Sequence, residues 1–115
     1  MEIRTANTIL YCARWQETVT FYRSVLGLRV THETDWFVEF ALGEEVRVSV
    51  ADAGRATVAS AGGRGITLSL RVADVVAARD ELAAAGLEPT ALKALWGARV
   101  TYVRDPEGHR IEVWS

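Results

Sequence analysis

The chain has little cysteine, little lysine and no long apolar run. One cysteine, Cys12, among 115 residues excludes an internal disulfide, so folding needs no oxidising compartment. Lys93 is the only lysine beside many arginines and alanines, a coding bias expected of a GC-rich bacterial genome. No apolar stretch approaches the roughly 18 residues of a membrane span. The opening MEIRTANTIL has no basic segment leading into an apolar one, so no signal peptide is expected. The expected compartment is the cytoplasm. A net charge of -2 and a pI near 5.7 give no basic surface for nucleic acid or an anionic membrane. There is no CxxC pair, no nucleophile elbow and no phosphate loop ahead of a helix. GRATVASAGGRG is glycine-rich, but its spacing is wrong for such a loop and it leads into a strand.

What remains is enough for one globular domain over residues 1–115. Hydrophobic residues make up 50% and charged residues 24%, and this length can bury a core without disulfides or structural metal. TILYC, within 5–12, reads as a strand. Trp15, Val19, Tyr22 and Leu26 place one apolar stripe on a helix over 14–26, which Gly27 ends. Strands are expected over 28–33, 36–41 and 45–51, as a meander. Residues 53–64 read as a linker between module one (about 1–52) and module two (about 65–115). ITLSLRV then alternates strictly over 66–72. Asp74 is placed to cap a helix over 75–85, which Gly86 ends. Three more strands are expected over 87–92, 98–104 and 109–114. The order β-α-β-β-β thus occurs twice. Gly27-Leu28 recurs as Gly86-Leu87, 59 positions on, and Thr8-Ile9 recurs as Thr67-Leu68 at the same offset.

Alternation also assigns faces. Ile66, Leu68, Leu70 and Val72 should pack on the helices, leaving Thr67, Ser69 and Arg71 on the opposite, polar face. In the last strand, Ile111 and Val113 face the helices, and Arg110, Glu112 and Trp114 face the other way. In the first strand, Thr8, Leu10 and Cys12 take the helix side, and Asn7, Ile9 and Tyr11 the polar side. Cys12 then reads as a small buried hydrophobe, not a reactive thiol.

Three stretches carry a family resemblance: TILYCARWQETVTFYRSVLGLRV, LSLRVADVVAARDELAAAGLEP and VTYVRDPEGHRIEVWS. Together they resemble the vicinal oxygen chelate superfamily, also called the glyoxalase/bleomycin resistance/dioxygenase superfamily. The resemblance implies an α+β fold of two βαβββ modules. Their curled mixed sheets would form a cleft, commonly completed by a second subunit, so a homodimer is expected.

Metal-dependent members of that superfamily hold a divalent ion with His and Glu on inward strand positions. Those positions fall here on Asn7, Thr67 and Glu112. One carboxylate with neutral partners is a poor site for a transition metal, so no metal and no cofactor is expected. His109, in the PEGHR turn, and His32, on the second strand, read as solvated residues and do not rescue the site.

Two uses then remain open for Glu112. It pairs internally with Arg71 or Arg110, or it binds a ligand, and any catalytic role would fall to it. Trp15 belongs to the core. Trp36, Trp96 and Trp114 sit where a cleft rim would be, and serve either planar ligands or a dimer interface.

The expected function is a metal-free protein that binds a small aromatic or planar molecule, as the antibiotic-sequestering members of the superfamily do. The expected lining is Asn7, Ile9, Tyr11, Trp36, Thr67, Ser69, Arg71, Trp96, Arg110, Glu112 and Trp114. A lyase, isomerase or dioxygenase with a non-standard site that includes Glu112 is the alternative. A non-catalytic subunit that binds another protein is a third.

Overall fold

The two alternating runs resolve into two separate sheets in the computed structural model, which describes residues 1–115. The first sheet holds β1 (Ala6–Cys12), β2 (Val30–Glu33), β3 (Phe37–Ala41) and β4 (Val46–Asp52). The second holds β5 (Thr67–Arg71), β6 (Lys93–Leu95), β7 (Ala98–Arg104) and β8 (Arg110–Trp114). Helix α1 (Trp15–Thr20) follows β1, and α2 (Val75–Ala84) follows β5. Strand orders are β1-β4-β3-β2 and β5-β8-β7-β6. In each sheet the first strand pairs parallel with the last, and the other pairs are antiparallel. This is the expected α+β fold of two βαβββ modules. No helix is long and apolar enough to cross a membrane.

The apolar faces of both sheets feed one core. Leu10, Val38, Phe40, Val48 and Val50 from the first sheet join Leu68, Val103, Ile111 and Val113 from the second. The polar faces of the two sheets therefore turn outward, away from the shared core. Strands β1 and β5 are edge strands that do not pair with each other. Cys12 is fully buried, as expected. Burial first, then the charges of Glu107 and Asp105, pushes its thiol up to about 12, so no thiolate forms near neutrality.

Local chemistry explains the element ends. Asp74 caps α2 by accepting from the amides of Val76 (3.0 Å) and Ala77 (3.2 Å). Helix α1 has no side-chain cap of its own at Arg14. Glu107, from the β7–β8 turn, accepts instead from the amides of Ala13 (2.9 Å) and Arg14 (2.7 Å). A carboxylate there also suits the positive end of the helix. The expected helix over 14–26 does continue past α1, but as a π-helical turn over Phe21–Val25. Its wider winding places the buried Tyr22 so that its hydroxyl donates to Asp105 at 2.8 Å.

Two expectations fail here. The strand expected over 87–92 is absent, and β6 begins only at Lys93. Pro89 has no amide to donate. Beside it, the Thr90 hydroxyl accepts from the Tyr102 amide at 3.0 Å and so takes the place of a backbone partner. The segment runs alongside β7 without forming a ladder. The second correction concerns His109, which is not a surface residue. It is 5% exposed, and its Nδ1 lies 2.8 Å from Asp105. The other oxygen of Asp105 accepts from the amides of Glu107, Gly108 and His109. The Asp-Pro-Glu-Gly turn is thus built around a buried carboxylate, and His109 is spent on satisfying it.

The linker also has a fixed end. Gly63 is buried, with φ +79°, and a Cβ there would lie 2.2 Å from the carbonyl carbon of Gly108. The chain before β5 therefore docks directly on the β7–β8 turn. Only a residue without a side chain permits that approach.

Candidate functional site

Register aligns the polar faces into rows. On the first sheet, Asn7 lies beside Arg47, which lies beside Ala41. The next row is Ile9, Ser49 and Glu39, and the third is Tyr11, Ala51 and Phe37. On the second sheet the rows are Thr67-Arg110-Arg104, Ser69-Glu112-Tyr102 and Arg71-Trp114-Val100. Leu10 and Cys12 are buried on β1 as Leu68 is on β5, so Asn7 and Thr67 both lie on the polar face, paired with Arg47 and Arg110. The Thr8–Thr67 match suggested by the helix spacing is therefore off by one residue. It would put the two threonines on opposite faces.

The second sheet holds the more developed site. Ser69 donates to Glu112 Oε1 at 2.6 Å, and the Tyr102 hydroxyl donates to Oε2 at 3.0 Å. The Trp114 indole donates to Ser69 at 3.1 Å. Glu112 makes no ion pair. Arg71 lies over Trp114, 5.2 Å from its ring centre, and Arg110 lies over Tyr102 at 4.9 Å. Both arginines thus lie against aromatic rings with no carboxylate paired to them, and the internal pairing left open by the sequence is absent. The Tyr102 hydroxyl is held above its ordinary pKa, first by its bond to Glu112, then by desolvation and by the carboxylate's charge. It stays a donor to the carboxylate at neutral pH.

Trp96 completes an open pocket of about 260 Å³ with Ser69, Leu95, Val100, Glu112 and Trp114. It sits at the tip of the β6–β7 hairpin with φ +48° and is 96% exposed. A large aromatic held in the left-handed region, in water, is an unfavourable choice for folding alone.

The first sheet has its own polar cluster. Thr31 donates to Glu39 Oε1 at 2.7 Å, Asn7 donates to Oε2 at 3.3 Å, and Ser49 donates to Asn7 at 2.8 Å. Arg47 lies 3.9 Å from Glu39. A bulge between Val30 and His32 lets both Thr31 and His32 oppose Glu39, and His32 is exposed. Trp36 precedes β3 and packs on Phe37, with ring centres 5.7 Å apart.

The expected lining residues therefore separate into two groups. Asn7, Ile9 and Tyr11, with Trp36 at the margin, belong to the first sheet. Thr67, Ser69, Arg71, Trp96, Arg110, Glu112 and Trp114 belong to the second. Glu39 and Tyr102 were not singled out from the sequence. Glu39 is the one polar residue of the apolar strand FVEFA, the same signal that marked Glu112, whereas Tyr102 shares RVTYV with Arg99 and Thr101 and has no such signal.

No three side chains of His, Cys, Asp or Glu converge anywhere. Asn7 and Ser49 are engaged with each other, and Glu112 has only the hydroxyls of Ser69 and Tyr102 bonded to it. This donor set does not fit a His/Glu metal centre.

Comparison with known proteins places the fold. Residues 4–113 match the family model of the Glyoxalase/Bleomycin resistance protein/Dioxygenase superfamily. The chain belongs to this superfamily. A glyoxalase/bleomycin resistance protein/dioxygenase from Nocardioides superposes with TM-score 0.80 at 24% identity, over 99% of this chain and 83% of that one. Lactoylglutathione lyase from Agrobacterium tumefaciens gives 0.78 at 20% identity, over 95% and 90%. TnmS3, an antibiotic-binding protein from Streptomyces sp. CB03234, gives 0.78 at 19% identity, over 98% and 93%. No curated protein matches by sequence. At these identities the neighbours establish the shared scaffold, which in this superfamily hosts both binding and catalysis.

Proposed function

We propose that this superfamily member binds a planar aromatic small molecule, without metal, on the polar face of its second sheet. The observation that carries the reading is the Trp96–Trp114 pocket floored by Glu112. Its carboxylate is hydrogen-bonded by Ser69 and Tyr102 but has no cationic partner. Flat rings offer stacking surface to a flat ligand, and the carboxylate accepts a hydrogen bond or a positive charge from it. The antibiotic-binding neighbour of the same fold supports a binding role for such a face.

The pocket is open, and β5 is an unpaired edge strand beside it. The first sheet likewise leaves β1 unpaired, with Ile9 38% exposed. Exposed edges of this kind are normally covered. In the proposal a second copy covers them, bringing the first sheet of one protomer against the second sheet of its partner. Asn7, Ile9, Tyr11 and Trp36 would then join the same cleft.

The test is a titration of planar aromatic compounds followed by tryptophan emission, beside sedimentation equilibrium of the free protein. Saturable quenching by one or more compounds, weakened by Glu112→Gln and abolished by Trp114→Leu, is expected from a dimer. Unquenched emission across a broad panel, or turnover of a methylglyoxal–glutathione adduct, would refute binding without catalysis.

A further inference from the structure

One row along from Glu112, the second sheet carries a concentration of positive charge that the planar-ligand reading does not use. Arg104 and Arg110 lie directly opposite each other across β7 and β8. Like charges so placed repel. No carboxylate lies within ion-pair distance of either, nor of Arg64. Arg64, Arg104 and Arg110 nevertheless line one open pocket of about 420 Å³. The rest of its lining is Gly63, Gly65, Ile66 and Thr67, with no acidic residue. In a chain of net charge -2, three unneutralised guanidinium groups around one hollow is a departure from the average surface.

The glycine-rich segment gives this hollow a second set of donors. The amides of Gly63 and Gly65 donate to no acceptor in the protein. The docking of Gly63 against Gly108 fixes the segment next to the β7–β8 hairpin that carries both other arginines. Arg110 Nε already donates to Thr67 Oγ1 at 2.9 Å, and Arg104 Nη1 donates to the Gly108 carbonyl at 2.8 Å. These contacts, with the Tyr102 ring beneath Arg110, hold the guanidinium groups in place, and their remaining N–H groups donate to no acceptor in the protein.

The first sheet supplies an internal contrast. Arg47 is the counterpart of Arg110 in its own module. Its Nη1 donates to the carbonyls of Gly43, Glu44 and Val46, and Glu39 lies 3.9 Å from its Nε. Arg47 is thus both neutralised and occupied.

We propose that Arg64, Arg104, Arg110 and Thr67, with the Gly63–Gly65 backbone, form a binding site for an oxyanion carried by a small molecule. Planar guanidinium forks and free amides recognise phosphoryl and carboxylate oxygens alike. The site adjoins the Glu112 face, so one ligand with a flat body and an acidic group would span both. Inorganic phosphate probes the anion site alone, so failure here and failure of the planar-ligand reading are separately visible.

The experiment is an amide ¹H–¹⁵N NMR titration of the full chain with inorganic phosphate, and separately with acetate, at constant ionic strength. Saturable shifts confined to Gly63, Arg64, Gly65 and Thr67 are expected. Arg104→Gln and Arg110→Gln should each weaken binding roughly tenfold, the order of one charge-assisted contact, and Arg47→Gln should leave it unchanged. Saturation by phosphate alone identifies a phosphoryl site, and saturation by both anions a general oxyanion site. Linear shifts without saturation, or equal losses from Arg47→Gln and Arg104→Gln, would overturn the proposal.

Discussion

Replacing Gly63 by alanine tests whether the chain before β5 is a docked part of the fold. At φ +79°, the new Cβ would meet Gly108 C at 2.2 Å, His109 N at 2.4 Å and Gly108 O at 2.6 Å. All three atoms are backbone, in a turn pinned by the buried Asp105 carboxylate, so no side chain can swing aside. The left-handed conformation costs alanine about 1 kcal/mol, and the forced separation adds about 1–3 kcal/mol. A loss of roughly 2–4 kcal/mol follows, or a fall in Tm on the order of 10 °C for a domain this size. Gly65→Ala is the control. It shares the positive φ, at +84°, but a Cβ there meets nothing within 4 Å. It should lose only the conformational part, about 1 kcal/mol. Urea unfolding of both variants, with unchanged m-values, separates contact from conformation. Equal losses at the two positions would refute the docking.

Three further outcomes are expected. Burial alone would raise the pKa of Glu107, but bonds from Ser60 and from the amides of Arg14 and Ala13, with the charge of His109, outweigh it and lower the value. A depressed folded pKa means stability that is fully present above the unfolded value of 4.5 and is lost as pH falls through the folded one. The stability gap between wild type and Glu107→Gln, about 1 kcal/mol for a helix cap, should therefore be constant near neutrality and close below that value in urea melts run across pH. A gap that widens in acid would contradict this sign. Cys12, fully buried and with its thiol pushed up to about 12, should resist an aromatic disulfide reagent at pH 8 until urea unfolds the chain; rapid native labelling would contradict that. Trp96→Asn should raise stability by up to about 1 kcal/mol, since asparagine tolerates the left-handed region better, while ligand quenching is lost. A destabilised Trp96→Asn would show that the ring is structural.

The repeat and the facing of the strands were legible because alternation over ITLSLRV and RIEVW permits only one buried set. Glycine at 27 and 86 marked both helix ends for the same kind of reason, a left-handed residue after the last turn. Interactions across distant sequence were not legible. His109 looks solvated in PEGHR, but it is buried beside Asp105, whose carboxylate also accepts from Tyr22, 83 positions away. The failed strand at 87–92 turns on the Thr90 hydroxyl, whose partner lies on β7. Glu39 was visible by the same reasoning that found Glu112, but Tyr102, beside Arg99 and Thr101 in its strand, was not. The free charge of Arg104 and Arg110 was not, because pairing depends on which carboxylates come near.

The most direct test of a metal-free Glu112 face is metal content by mass spectrometry. Tag-free protein would be purified without chelator and then exposed to Zn, Ni, Mn and Fe(II). Less than a stoichiometric amount of every ion, unchanged in Glu112→Ala, is the expected result. One tightly held ion per chain, lost in Glu112→Ala, would contradict it and make the second sheet part of a metal centre.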